Sequence, residues 1–440
     1  MTEPSHISQN SAENTAPARP QFIPVLKSDL IAALSESGIA REQLNDFTTL
    51  CSFLGSYFHH DFYDELTELK DIYAWFSPAG PRPQRRKAPS AEEAYTRLSA
   101  TLESVMTRAN FAELPLAEVQ ALGGEHPLLD VKTRTPMESY ESIRVFYRGR
   151  HAQVVAQANA LGLNKKEFPV ETFDDVVIFV RFRQTTAERR KRLALRRTQG
   201  LPGGAQPGSV LIKSFRNISR LELPMLLPDV QVVMSRKDAF LLGGPALLGG
   251  IPIALNILPA LSVVLVVIGA YLGFASAVTQ DKLMKAVAAL SVLVGAGAFM
   301  VRQYSNYSFR KLKYQKRVAD NVYFKNVNND AGVFETLIGA AEEQEMKEVI
   351  LAYHALLTGG PAADEHDLDR RIEAWLKANF GVDLDFEVSD ALAKLERLGF
   401  LASKDGKLAV VPLTEALSRL DTLWDRLYDF SRAPHASVAA

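Results

Sequence analysis

Two hydrophobic periods alternate along this chain. Apolar residues recur at three- and four-residue spacing through residues 22 to 77, where "LIAALSES" leads into "LNDFTTLCSFLGSYFHHDFYDELTELKDIYAWF", and that spacing predicts helices. "SPAGPRPQRRKAPS" interrupts the pattern as a linker, since Pro and Gly break both regular structures. "AEEAYTRLSATLESVMTRANF" resumes it as a further amphipathic helix. Short β-type runs follow: "IRVFYRG", "VVIFVRF", "RLALRR", "VLIKSF" and "VQVVMS" predict strands, with "GLPGGAQPG" as a hairpin loop between the third and fourth. Helices followed by strands predict an α+β domain over residues 22 to 237.

A third pattern has no polar face at all. From Ala239 to Gln280 no residue is charged, a run of forty-two, and a second uncharged run covers Ala286 to Val301. About 20 apolar residues cross a bilayer. Leu255 to Phe274 meets that length, and Leu283 to Arg302 meets it with Lys285 snorkelling to the headgroups. The four glycines and two prolines of "LLGGPALLGGIPIALN" suit a re-entrant or interfacial segment over 241 to 254. The expected unit is a two-helix transmembrane hairpin over 238 to 303, followed by a basic juxtamembrane helix and turn over 304 to 330.

The helical period returns downstream. "EEQEMKEVILAYHALL" and "DLDRRIEAWLKANFG" read as helices, the latter with a Gly stop. "EVSDALAKLERLGF" follows, with Asp385 as the expected N-cap and Gly399 at the position after the C-cap. "FLASKDGKLAVVP" alternates about Asp405-Gly406, a hairpin signal. Helices and then a two-stranded wing predict a winged-helix-like module over 331 to 430, with residues 1 to 21 and 431 to 440 as tails.

Charge changes this picture more than composition does. The chain holds 50 Lys and Arg against 51 Asp and Glu, but their distribution is uneven. Arg181 to Arg220 carries eleven basic residues and one acid, Arg302 to Arg317 six and none, and Glu342 to Asp429 nineteen acids and ten basic residues. Basic blocks flank the apolar region on both outer sides, so the positive-inside rule places both termini on the cytoplasmic face. Cys51 is the single cysteine, which excludes an intrachain disulfide and a Cys-based zinc site. The first 21 residues show no secretory h-region.

The segments "HHDFYDELTELKDIYAWFSP", "VLIKSFRNISRLELPMLLPDVQVVMSRKDAFLLGG", "NVYFKNVNNDAGVFETLIGAAEEQEMKEVILAYHALL" and "VSDALAKLERLGFL" resemble a membrane protein family of unknown function. That family includes eukaryotic transmembrane protein one-forty-three and bacterial relatives. The resemblance spans most of Phe22 to Phe430 and implies an integral membrane protein, here a bacterial member in the inner (plasma) membrane. It supplies no reaction and no cofactor.

Candidate chemistry is sparse. Asn326, Asn328, Asn329 and Asp330 offer hard oxygen ligands, but their residue types equally suit a turn and a helix cap, and the spacing is not that of a calcium loop. His60 and Asp64 stand four apart beside His59, with no second ligand cluster to complete a metal site. Asp174 and Asp175 read as turn residues before a strand. "GGAQPGS" imitates a phosphate loop but lacks its lysine. Gly269 with Gly273, and Ser291 with Gly295, are candidate helix-packing pairs in the membrane. Arg302, Arg310, Lys311, Lys313, Lys316 and Arg317, interleaved with aromatic rings, predict an anchor to anionic lipid. The acidic C-terminal module argues against nucleic acid, because phosphate contacts need positive charge. The expected function is a membrane-anchored scaffold or regulator without enzymatic activity or cofactor, binding protein partners, with self-association through the helix-packing pairs as the alternative to packing within the hairpin. An oligomeric transport or channel component, and an enzyme with an unrecognised site in the α+β domain, are the alternatives.

Overall fold

The computed structural model describes residues 19–78, 90–121, 125–126, 131–134, 137–158, 165–184, 206–228, 231–233, 261–262, 264–273 and 280–427. The mixed helix and sheet content predicted from the two periods is present. Helices α1 (Lys27–Glu36), α2 (Leu44–Asp61), α3 (Tyr63–Tyr73) and α4 (Ala91–Arg108) come first. In α2 the buried residues Phe47, Leu50, Leu54 and Phe58 follow helical spacing and form one stripe. Ser90 caps α4 by accepting the Glu93 N–H at 3.2 Å, satisfying one of the orphan donors of the first turn.

Five antiparallel strands build the main sheet in the order β1 (Ala112–Leu114), β4 (Tyr140–Ala158), β5 (Lys165–Phe182), β6 (Val210–Ser219) and β8 (Asn326–Asn329). A smaller sheet pairs β2 (Glu125–His126), β3 (Val131–Arg134) and β7 (Gln231–Val233). Val177 and Phe179 point from β5 into one apolar cluster with α3 and α4, while Val176, Ile178 and Val180 point into another. Both faces of this strand are therefore covered, which is why Val176 to Val180 is continuously apolar rather than alternating. Asp174 and Asp175 lie within β5 and not in a turn before it. Asp175 accepts from Arg148 at 2.8 Å and from Arg216 at 3.2 Å on the two neighbouring strands. The predicted strand "RLALRR", most of the loop "GLPGGAQPG" and the segment 241 to 254 fall outside the described residues.

The short helices α5 (Leu116–Ala121) and α6 (Leu223–Leu226) cover one face of the sheet. The longest element follows: α7 (Gln280–Lys325), 46 residues and about 69 Å at 1.5 Å per residue. Within it, Leu283–Phe309 is the one helix among the described residues that is long and apolar enough to cross a membrane. The sequence predicts two such spans. Of the first, residues 255 to 260 lie outside the described residues, 264 to 271 are helical, and the chain turns at 272 to 273. A hairpin of two spanning helices is thus not displayed.

Helix α8 (Gly332–Gly359) runs through the middle of the body, and all residues from Gln344 to His354 are buried. Around it stand α2, α4, α9 (Glu365–Phe380) and α10 (Val388–Arg397). The hairpin β9 (Leu401–Lys404) and β10 (Lys407–Val410) turns on Asp405 and Gly406, both with positive φ as the Asp-Gly signal requires. A last helix, α11 (Leu413–Asp425), packs on α2. Gly399 has φ +71 and sits at the predicted position: its N–H reaches the Glu396 carbonyl and that of Phe400 the Leu395 carbonyl, a Schellman closure. Asp385 is not the cap of α10. Glu387 occupies that position without a side-chain bond, and the Asp385 N–H donates to Pro20 O at 3.0 Å.

One apolar core joins the two ends of the chain. Residues from Ile23 to Phe58 pack with residues from Met346 to Leu420, whereas α3, α4 and the start of α8 share a second cluster with the sheet.

Candidate functional site

The Asn-rich joint is a fully engaged structural element. Asn326 to Asn329 form edge strand β8, paired with Lys213 to Phe215 of β6. Sequence reasoning expects a turn here, because Asn is a poor strand former; the register with β6 overrides that preference. The Asn328 N–H donates to Ser214 Oγ at 3.1 Å, and its side-chain amide to Thr336. Asn326 donates to Asn329 Oδ1 at 3.0 Å. Asp330 takes φ +53, turns the chain into α8, and accepts the Tyr73 hydroxyl at 2.8 Å. Burial, and then Asp330, hold the Tyr73 phenol far above its usual range, so it remains a donor. Asn326 and Asn328 thus act as donors, while Asn329 and Asp330 accept.

The base of α7 is locked to the sheet. Lys325 Nζ lies 2.6 Å from Glu222 Oε2, which also accepts the Ser219 N–H at 2.9 Å in a capping box. Val322 packs on the cluster beneath. Further along, Arg302, Lys313 and Lys316 are exposed, as are Tyr304, Phe309 and Leu312. The side chains of Arg310, Lys311 and Arg317 lie outside the described residues. In the apolar half the buried positions are Ala286, Ala289 and Ala296, while Ser291 and Gly295 are exposed. A Cβ added at Gly269, Gly273 or Gly295 would meet nothing within 4 Å, and Gly273 has φ +82 in the turn that ends its helix.

The largest concentration of buried charge was not legible as a site. Arg108 of α4 reaches Asp61 (3.1 Å), Glu65 (3.0 Å) and Glu345 (3.0 Å), its guanidinium 3.6 Å above the Phe62 ring. Lys394 of α10 binds Glu348, Asp390 (2.6 Å) and Glu345 (3.2 Å). Gln344 and Asn110 add N–H donors to Glu348 Oε1 at 3.0 and 3.2 Å. Burial opposes the charge on Lys394, but Glu348 and Glu345 outweigh it and raise its pKa. Burial raises the Glu348 carboxyl to about 7, against the Lys394 ammonium, which lowers it. A pKa near neutrality suits a general acid or base, yet Glu348 is 2% exposed and enclosed by its partners. Glu348, Glu387 and Asp390 place carboxylate oxygens within 4.8 Å of one another, the spacing of a cation site. The Lys394 ammonium already fills that role. This cluster is a clamp between α4, α8 and α10.

His59 and His60 line an open cleft of about 680 Å³ with Lys27, Tyr63, Glu342 and Trp424. His59 Nδ1 is 3.0 Å from Glu342 Oε1, and His60 meets the Trp424 ring edge-on at 6.0 Å. The helix is interrupted only at Phe62, so His60 ends α2 and Asp64 opens α3.

Residues 173–332 match the model of a family described as a protein of unknown function, DUF3754. The match runs from inside β5 to the first residue of α8, and so takes in the apolar segments together with the strands and joint that hold α7. No solved structure matches this chain.

Proposed function

We propose that this chain is an integral protein of the bacterial plasma membrane, a non-enzymatic scaffold or regulator whose α+β body and helical C-terminal module recruit protein partners on the cytoplasmic side. The observation that carries this reading is α7: an exposed apolar length runs without a break into a basic, aromatic length and ends locked in the sheet. Soluble helices bury their apolar stripe, whereas here only 18% of the most apolar window is buried. The resemblance to the family of transmembrane protein one-forty-three points the same way. On this reading residues 255 to 274 supply a second span, both termini are cytoplasmic, and the basic residues from Arg302 onward meet anionic headgroups. Helix α10, which precedes the two-stranded wing, is ill suited to DNA, since Lys394 is buried and Arg397 is paired with Asp61 at 3.3 Å. Extraction of membranes with alkaline carbonate and high salt tests the reading. Full-length protein stays in the pellet; its release by carbonate would falsify membrane integration.

A further inference from the structure

A second cavity, of about 300 Å³, lies where α8 and α9 meet α1. We infer that it binds a neutral aromatic molecule of one or two rings that carries an N–H or O–H donor. Leu34, Leu351 and Ile372 form a buried apolar floor, and Ala355 and Trp375 stand at the half-open mouth. A dry apolar cavity of about 150 Å³ already holds benzene, so this volume accommodates an indole.

The polar groups select the ligand further. His354 Nε2 faces two carbonyls, Leu34 O at 3.0 Å and Ser37 O at 2.7 Å. Carbonyls only accept, so Nε2 carries the proton. Burial lowers the pKa of this imidazole, which keeps it neutral and leaves Nδ1 as an acceptor with no donor paired to it among the described residues. Thr358 donates its hydroxyl to His354 O at 2.9 Å, leaving its oxygen lone pairs to accept. Arg371 spends its guanidinium on the Gly359 and Gly360 carbonyls and on Asp367, so it offers an anion little while repelling a cation. Two acceptors on residues that line a largely apolar cavity call for a neutral donor.

The test uses the full chain in lipid nanodiscs, with empty nanodiscs as the control for partition into lipid. Indole binds saturably at one site, about tenfold tighter than benzene, as one net hydrogen bond allows. His354→Phe keeps a ring but removes the acceptor, and brings indole down to the benzene level. Ala355→Leu fills the space and weakens both ligands at least tenfold. On the wild-type protein, the Ala355 methyl resonance shifts with added indole. Uptake no greater than in empty nanodiscs, an unmoved Ala355 methyl, or an unchanged indole-to-benzene ratio in His354→Phe each overturns the inference.

Discussion

Lys394 illustrates how a residue type misleads when only its neighbours in sequence are considered. In "EVSDALAKLERLGF" it reads as a solvated helix charge, yet it is buried among carboxylates from two helices. Removing one partner of a buried pair strands the others, at a cost of about 3–5 kcal/mol. Lys394→Met is expected to lose that much in a denaturant titration, far more than a surface lysine. Glu348 gives the cluster a pH dependence. Its folded pKa, about 7, exceeds the ordinary 4.5, so between those values the folded state binds more protons than the unfolded one. Stability is then greatest below pH 4.5 for this group and is lost as pH rises to 7, by roughly 1–3 kcal/mol. His354 has the opposite sign: its lowered pKa makes its contribution full above pH 6.5 and lost on acidification. Denaturant midpoints across pH 4.5 to 7 separate the two, since Glu348→Gln removes the falling slope and leaves the His354 effect. Glycines make a sharper contrast. Gly406 has φ +76 and open space around it, so Gly406→Ala costs only the conformational penalty of about 1 kcal/mol. At Gly149, φ +67, an added Cβ would fall 2.0 Å from Asp174 Oδ2, and Gly149→Ala is expected to cost at least about 2 kcal/mol. Equal losses at both sites would contradict the packing described.

At the scale of elements, α7 is continuous from its apolar length to the sheet, and on the proposed reading it would fix how the body is held relative to a bilayer. A continuous helix transmits orientation, whereas a flexible linker would not. On the proposed reading, charge asymmetry would set which side the body occupies: Arg236, Lys237, Arg302 and Arg310 flank the uncharged runs, and only Lys282 and Lys285 are basic between them. Cysteine labelling of intact cells with an impermeant reagent checks this. Cys51 is 1% exposed and burial pushes its thiol up to about 12, so it is silent in the folded protein. Cys51→Ala removes any remaining background. Cysteines placed at Ser305 and Ser431 are expected to be shielded, and one at Gln280 to label. Labelling of Ser431→Cys from outside while an N-terminal probe stays protected would show an odd number of crossings.

The whole molecule is closed by its two ends. Arg19 reaches Glu373 at 2.9 Å, the Ile23 carbonyl takes Lys347 Nζ at 3.3 Å, and Phe47, Leu50, Leu54 and Phe58 cover the face of α8 that α9 and α10 leave bare. Residues 331–440 alone would expose that face to water. We expect this fragment to show no cooperative melt by circular dichroism, and to gain one when residues 19–62 are supplied in trans. A sharp transition in the isolated fragment would mean that α2 is dispensable to the core.

The chain's local chemistry by itself determined a good deal. Apolar period placed α1 to α4 and α8 to α11, because a helix must bury one stripe, and the short runs rich in β-branched and aromatic residues over β4, β5 and β6 marked a sheet. Gly399 and Asp405-Gly406 were legible since positive φ restricts the residue type. The uncharged length of α7 was equally plain, though of the two predicted spans only that one appears among the described residues. Tertiary structure alone decided the rest. Strand β8 owes its conformation to a partner more than a hundred residues away, which no local propensity records. Joining Ile23 to Leu420 in one core, and pairing Arg108 with Glu345 and Lys394 with Glu348, are long-range choices. They arise because buried charges must find partners wherever the fold brings them together, and sequence spacing carries no distance of that kind.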